Sequence, residues 1–238
     1  MSGGGWRGAV APLSSMAAKL AVMLVVGSMI AAITRSSGLQ LTLSPDHVLL
    51  GFAFWQPFTY IFLEASPLGV LFGALILWSI GGALEAQWGA RRLFLVSAGV
   101  AFLAGLLTVG LAAILPSLRP YGYFGGMVMT TAVWVAYGLS FGSAQVNFWG
   151  IPVTGNVFAL IGVGLIVLSA AFSGWRWVVP EAFGAALAYA AVRLKGPRLW
   201  VLRFQSWRLH RQLKGRSKHL KVIARDRNTS RSSDRFLH

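Results

Sequence analysis

The chain has 238 residues and a mean hydropathy of +0.66, with 56% of residues hydrophobic and only 11% charged. A soluble domain carries about 25% charged residues, so a water-soluble globular protein is excluded. The net charge of +15 sets 21 Lys and Arg against six Asp and Glu, and cysteine is absent; a disulfide framework and a thiolate metal site are therefore excluded too.

A helix needs roughly 20 mainly apolar residues to cross a hydrocarbon core ~30 Å thick. Six runs meet or approach that length. The first covers residues 16–34 and is interrupted early by Lys19. Arg7 and Lys19 ahead of AVMLVVGSMIAAI also resemble a cleaved signal peptide, but a retained first helix suits a chain with further spans. The second covers 67–84 without a charge, the third 93–115, the fourth 121–142 and the fifth 151–173. The sixth, 177–192, is short and holds Glu181 near its start. No strand-period alternation is evident, and only helices or closed barrels satisfy the backbone in lipid. The fold class predicted is all-α: a polytopic membrane protein with a six-transmembrane-helix bundle over residues 1–195, followed by a basic tail over 196–238.

Lys and Arg counts orient the bundle. A cytoplasmic N-terminus puts Arg7, Lys19, Arg91, Arg92 and the tail inside, and leaves Arg35, Arg119 and Arg176 outside. Both termini are expected in the cytoplasm, a pattern that suits a bacterial inner membrane. From Arg193 onward lie 14 of the 21 bases and only two acids, Asp226 and Asp234. Within RLWVLRFQSWRLHRQLK (198–214), Arg198, Trp200, Arg203, Trp207, Arg208 and Arg211 are read as contacts with an interface of anionic lipid, where rings settle and basic heads snorkel. Nucleic acid would respond to the same charge, but no recognition motif accompanies it, so it is not the partner expected.

The most specific text is residues 54–94. It holds Trp55-Gln56-Pro57-Phe58-Thr59, then Phe62-Leu63-Glu64, then Gly81, Leu84, Glu85, Gly89 and Arg92 in the spacing Gly-x-x-Leu-Glu-x-x-x-Gly-x-x-Arg. This text resembles the rhomboid family of intramembrane serine proteases. The resemblance implies the six-helix fold and makes Trp55, Gln56, Thr59, Gly81, Glu85, Gly89 and Arg92 structural motif residues. Glu85, at the cytoplasmic end of an apolar span, is placed to meet water, loop amides or Arg91 and Arg92. Gly89 suits a helix stop.

By the same resemblance, a serine in Gly-x-Ser-Gly opens the fourth span, a histidine lies near the start of the sixth, and His-x-x-x-Asn in the second supplies oxyanion donors. Here Gly122-Tyr123-Phe124-Gly125 places Phe124 where the serine belongs. Glu181-Ala182-Phe183-Gly184-Ala185 places Ala182 at the base, and the donor spacing falls on Gly69 and Gly73. Nucleophile, base and donors are missing together, so no catalytic residue is assigned. Gly122, Gly125 and Gly184 remain as structural matches. No metal-ligand cluster or phosphate loop is present, and no cofactor is expected.

What the resemblance implies is a catalytically inactive rhomboid-like protein that binds transmembrane segments of client proteins, with Tyr123, Phe124, Met127 and Phe183 lining the cleft. Two alternatives stand beside it. One is a divergent intramembrane serine protease whose nucleophile has moved, for instance to Thr130, Thr131, Ser66 or Ser117, or a hydrolase using Glu64 with Glu181. The other is a membrane organiser acting through the basic tail.

Overall fold

The computed structural model describes residues 11–34, 40–148 and 151–193. The tail, with Arg198, Trp200, Arg203, Trp207, Arg208 and Arg211, lies outside the described residues.

Helix α1 (Met16–Thr34) buries Ala17, Leu20, Ala21, Leu24 and Ser28 on one stripe and turns Val22, Met23, Val26, Met29 and Ile33 outward. Two short helices follow, α2 (Pro45–Leu49) and α3 (Gln56–Thr59), the latter running into a 3₁₀ turn, Tyr60–Phe62. Helix α4 (Pro67–Trp88) starts with proline at its first position, where no amide is needed. The Ser66 hydroxyl accepts from the Gly69 amide at 3.0 Å. It stops at Gly89, whose φ of 82° is open to glycine at little cost. Helix α5 (Ala90–Phe94), a π-helical turn (Leu95–Gly99) and α6 (Val100–Ile114) form one continuous helix of 25 residues.

Helix α7 (Gly126–Phe141) is the centre of the bundle: ten of its 16 residues are buried, and it packs on α4, α6, α8 and α9. Two antiparallel strands, β1 (Gln145–Phe148) and β2 (Ile151–Thr154), precede α8 (Gly155–Ser173), and α9 (Val179–Arg193) closes the described chain. The hairpin corrects the reading that no strand pattern is present. Val146 pairs with Val153, and Phe148 with Ile151, a β-branched and aromatic composition that suits a pleated ladder.

The chain is an all-α polytopic membrane protein in outline. Helices α1 and α4, the helix Ala90–Ile114 and α8 are long and apolar enough to cross a membrane, and α7 is a shorter apolar helix. Lipid offers no hydrophobic drive between helices, so close contact of small residues must hold them. A Cβ on Gly138 would lie 2.5 Å from the Ala159 amide nitrogen, which fixes the α7–α8 crossing at backbone distance. Trp134 of α7 stacks flat on Phe158 of α8, centroids 4.4 Å apart, and a Cβ on Gly184 of α9 would meet Val128 at 2.6 Å.

Candidate functional site

The start of α7 is held from two sides. Leu43 and Tyr123 exchange backbone hydrogen bonds of 3.1 and 2.8 Å, an isolated antiparallel bridge that keeps residues 122–124 extended. On the other side, the Gly125 amide donates to the Tyr60 carbonyl at 2.8 Å and the Gly126 amide to the Leu63 carbonyl at 2.9 Å. Both glycines are required by this approach. A Cβ on Gly125 would stand 2.8 Å from the Ile61 Cα, and one on Gly126 would stand 2.8 Å from the Leu63 oxygen.

The carboxylate of Glu64 lies beside this turn, its Oε2 3.1 Å from where a Cβ on Gly126 would stand, and the Met127 amide faces it. Helix N-termini attract anions, and here the chain supplies its own. Glu64 Oε1 also accepts from the Ala65 amide at 3.0 Å, while the Glu64 amide donates to the Ser28 hydroxyl at 3.0 Å. Burial pushes the Glu64 carboxyl above its ordinary range, and the two amides hold it back in part. Room for this carboxylate comes from Gly69, where a Cβ would meet it at 2.8 Å; Gly73, one turn on, admits Leu24, with Thr130 Oγ1 at 3.2 Å. The two positions at which the resemblance calls for oxyanion donors are therefore the two that admit a carboxylate and a leucine.

Phe124 is half-buried and Tyr123 is buried, whereas Met127 is exposed. Phe183 is half-buried and packs against Ala112, Leu118 and Val179. Ala182 faces elsewhere. It lines an apolar groove of about 510 Å³ between α7, α8 and α9, together with Ala159, Leu160, Ala185, Ala186 and Tyr189. Tyr123, Phe124, Met127 and Phe183 lie outside that lining. As for relocated nucleophiles, Thr130 donates back to the Gly126 carbonyl at 2.8 Å, as helical Thr commonly does. Ser66 is the N-cap of α4. Among the described residues no buried side-chain polar atom lacks a partner, and no group of three or more His, Asp or Glu is placed to hold a metal.

The motif residues divide between the two ends of α4. At one end, Gln56 is buried and accepts from the Ser44 amide at 2.9 Å, Thr59 donates to the Leu41 carbonyl at 2.8 Å, and the Trp55 indole reaches the Gln40 carbonyl at 3.4 Å. These three side chains bind residues 40–44 to α3, and Leu43 in turn grips Tyr123. At the other end, Glu85 accepts from the amides of Met16 and Ala17 at 2.9 and 2.8 Å. Ser15 supplies the remaining cap: its hydroxyl accepts from the Ala18 amide at 3.1 Å, and its own amide donates to the Pro12 carbonyl at 2.9 Å. All four otherwise unpaired amides of the first turn of α1 are satisfied. Arg92 lies over the Trp88 ring at 4.4 Å. A Cβ on Gly81 would reach Ala17 at 3.5 Å, and one on Gly122 would reach Thr42 at 3.8 Å, so neither glycine is forced by space.

Sequence reasoning missed three contributors: Ser15 as a cap, Leu43 as a strand partner and Tyr60, whose buried hydroxyl donates to the Ala101 carbonyl. Tyr60 carried a signal, because a buried tyrosine must find a partner for its hydroxyl.

A model of the family described as "Eukaryotic integral membrane protein (DUF1751)" matches residues 18–194. Rhomboid protease GlpG of Salmonella choleraesuis (strain SC-B67) is 36% identical over 61 residues, which are 26% of this chain and 22% of that protein. The same figures hold for rhomboid protease GlpG of Salmonella newport (strain SL254) and of Salmonella heidelberg (strain SL476). The matched part thus spans about a fifth of the length of these curated relatives.

Proposed function

This chain belongs to the eukaryotic integral membrane protein family DUF1751 and is rhomboid-like, and from that premise we propose that it holds transmembrane segments of client proteins without cutting them. One observation carries the reading: the Glu64 carboxylate sits at the N-terminus of α7, facing the Met127 amide and against Gly69. Peptide hydrolysis needs donors preorganised toward a developing oxyanion. At this place the Gly125 and Gly126 amides are spent on carbonyls of the chain itself, the Met127 amide faces the Glu64 carboxylate, and the nearest added charge is negative. Phe124 and Ala182 bring neither hydroxyl nor imidazole to the positions at which the family places nucleophile and base.

The holding function rests on the groove between α7, α8 and α9. Ala159, Ala182, Ala185 and Ala186 offer a floor of small side chains, and close approach over small residues is how helices associate in lipid. The client is therefore read as an apolar helix with its own small-residue stripe. Both termini are assigned to the cytoplasmic side, with the basic tail, residues 196–238, on anionic lipid there. The family's description is eukaryotic, and it lends no support to a bacterial inner membrane.

The test is site-specific photocrosslinking in proteoliposomes containing a panel of single-pass membrane proteins. A crosslinker at Ala186 or Leu160 in the groove is expected to trap a subset of them, and one at Val26 on α1 is not. Equal trapping at all three positions would contradict the reading.

A further inference from the structure

We infer that Arg176, in the turn between α8 and α9, binds the phosphate of a phospholipid headgroup together with the Tyr121 hydroxyl, at the end of the bundle opposite to Arg193. The inference is independent of client binding and of catalysis.

Helix α8 stops at Gly174, whose φ of 93° glycine reaches at little cost, and the Trp177 amide closes the turn on the Gly174 carbonyl at 3.2 Å. Val178 and Val179 are then buried, whereas Trp175, Arg176 and Trp177 are exposed. Phe172, in the last turn of α8, is 85% exposed. Three outward rings thus flank one base. Such rings are unsuited to bulk water and suited to the boundary between acyl chains and headgroups, where they collect.

The level of the turn follows from two spanning helices. Helix α8 has 19 residues, roughly 28 Å at 1.5 Å per residue, close to the ~30 Å of a hydrocarbon core. Residues 174–177 therefore lie where that core ends. The helix Ala90–Ile114 ends at the same place. Ile114 and Leu115 face outward, and Tyr121, a few residues on, meets the Trp177 ring edge-on with centroids 5.0 Å apart. The two connections share one level, and it is the level of the headgroups of a leaflet.

The chemistry selects an anion. Arg176 donates from Nη1 to the Tyr121 hydroxyl at 3.5 Å, a long bond, and its Cζ lies 5.7 Å from the centre of the Trp175 ring. Neither partner carries a charge that neutralises the guanidinium. Arg119 differs: its Nε and Nη2 donate to the Ala112 and Ala113 carbonyls at 3.1 and 3.3 Å and cap the helix before it. A guanidinium has five N–H donors, of which Arg176 engages one among the described residues. The Tyr121 hydroxyl, which accepts from it, keeps its own proton to donate. One phosphate can take up both sets of donors, since a guanidinium fork matches phosphate geometry. The flanking rings face acyl chains, and this makes a phospholipid, held by its own chains, the source of the phosphate.

The test uses the full chain in maltoside micelles, with the midpoint of thermal unfolding, Tm, as the readout, because a ligand that binds the folded state raises it. Dihexanoyl phosphatidylglycerol is expected to raise the Tm of the parent by several degrees. A dihexanoyl glucosyl glyceride, which lacks phosphate, is expected to leave it unchanged. Arg176→Gln is expected to lose most of the rise and Tyr121→Phe part of it, whereas a tail variant carrying Arg203→Gln with Arg208→Gln keeps it. An equal rise in the parent and in Arg176→Gln would overturn the inference, as would a rise lost in the tail variant instead. Inorganic phosphate that raises Tm as much as the phospholipid does would also overturn it, in favour of a site for free anions. If Arg176→Gln fails to fold, a full rise in Tyr121→Phe overturns the inference in its place.

Discussion

Replacing Glu85 by alanine removes both carboxylate oxygens from the first turn of α1, 68 and 69 residues away. The two bonds are short, charge-assisted and aligned with a helix N-terminus. Each such bond contributes about 1.5–3 kcal/mol net, and loss of an ordinary N-cap costs about 0.5–2 kcal/mol. Water reaches this part-buried end of the bundle and recovers some of the loss, so the cost expected for Glu85→Ala is about 2–4 kcal/mol. Glu85→Gln keeps one acceptor and turns an NH₂ toward the other amide, so about half that cost is expected. The assay is reversible unfolding of the purified protein in mixed micelles, titrated with a denaturing detergent. Arg91→Ala serves as comparator and is expected to stay within about 0.5 kcal/mol of the parent, because exposed bases contribute little. Arg92→Ala, which gives up the Trp88 ring, is expected to cost at most about 1 kcal/mol. If Glu85→Ala also stays within these margins, or if the arginine variants cost as much, the capping role is refuted.

Three further outcomes follow from the site. Because burial raises the Glu64 carboxyl, its protonated form lends stability that is fully present below the ordinary value of 4.5 and is lost as pH rises through the raised folded-state value. Glu64→Gln is therefore expected to flatten that fall and to match or exceed the parent at neutral pH; parent stability that climbs across this window relative to the variant would sink the argument. Gly125→Ala and Gly184→Ala are each expected to cost about 1–3 kcal/mol by overpacking, whereas Gly122→Ala stays within about 0.5 kcal/mol; Val128→Ala relieves only Gly184→Ala, since its clash is with a side chain and that of Gly125 is with backbone. Grafting Phe124→Ser with Ala182→His is expected to yield no cleavage of transmembrane substrates in a gel assay, since the amides at the start of α7 remain engaged; turnover by this double variant would show that the scaffold still holds an oxyanion site.

Composition and apolar runs carried most of the architecture, because a membrane imposes a length and a polarity on each span that one sequence displays openly. The run at 16–34 has the bounds of α1. The differences lie where backbone pairing outweighs hydropathy. The run from Tyr121 becomes helical only at Gly126, since Leu43 draws residues 122–124 into a bridge. The run from Ile151 gives its first four residues to β2. Helix α4 continues past Leu84 to Trp88 because Glu85 finds amides instead of lipid. At the site, the absence of serine, histidine and asparagine at the family positions was legible in the text. What replaced them was not. Glu64 reads as an interfacial acid until Gly69 and the Met127 amide are seen to converge on it, and no spacing rule brings residues 64, 69 and 127 together. The groove was equally hidden, since Ala182 and Phe183 are neighbours in sequence yet face different partners around α9.

The central claim, that this rhomboid-like chain binds transmembrane segments and does not hydrolyse them, is tested most directly by co-reconstituting the purified protein with a panel of transmembrane substrates, an active rhomboid serving as positive control. The account expects intact substrate that co-purifies with the chain and is released by competition with an excess of unlabelled transmembrane peptide. Specific cleavage that persists through stringent purification and is abolished by a hydroxyl-directed inhibitor would contradict it.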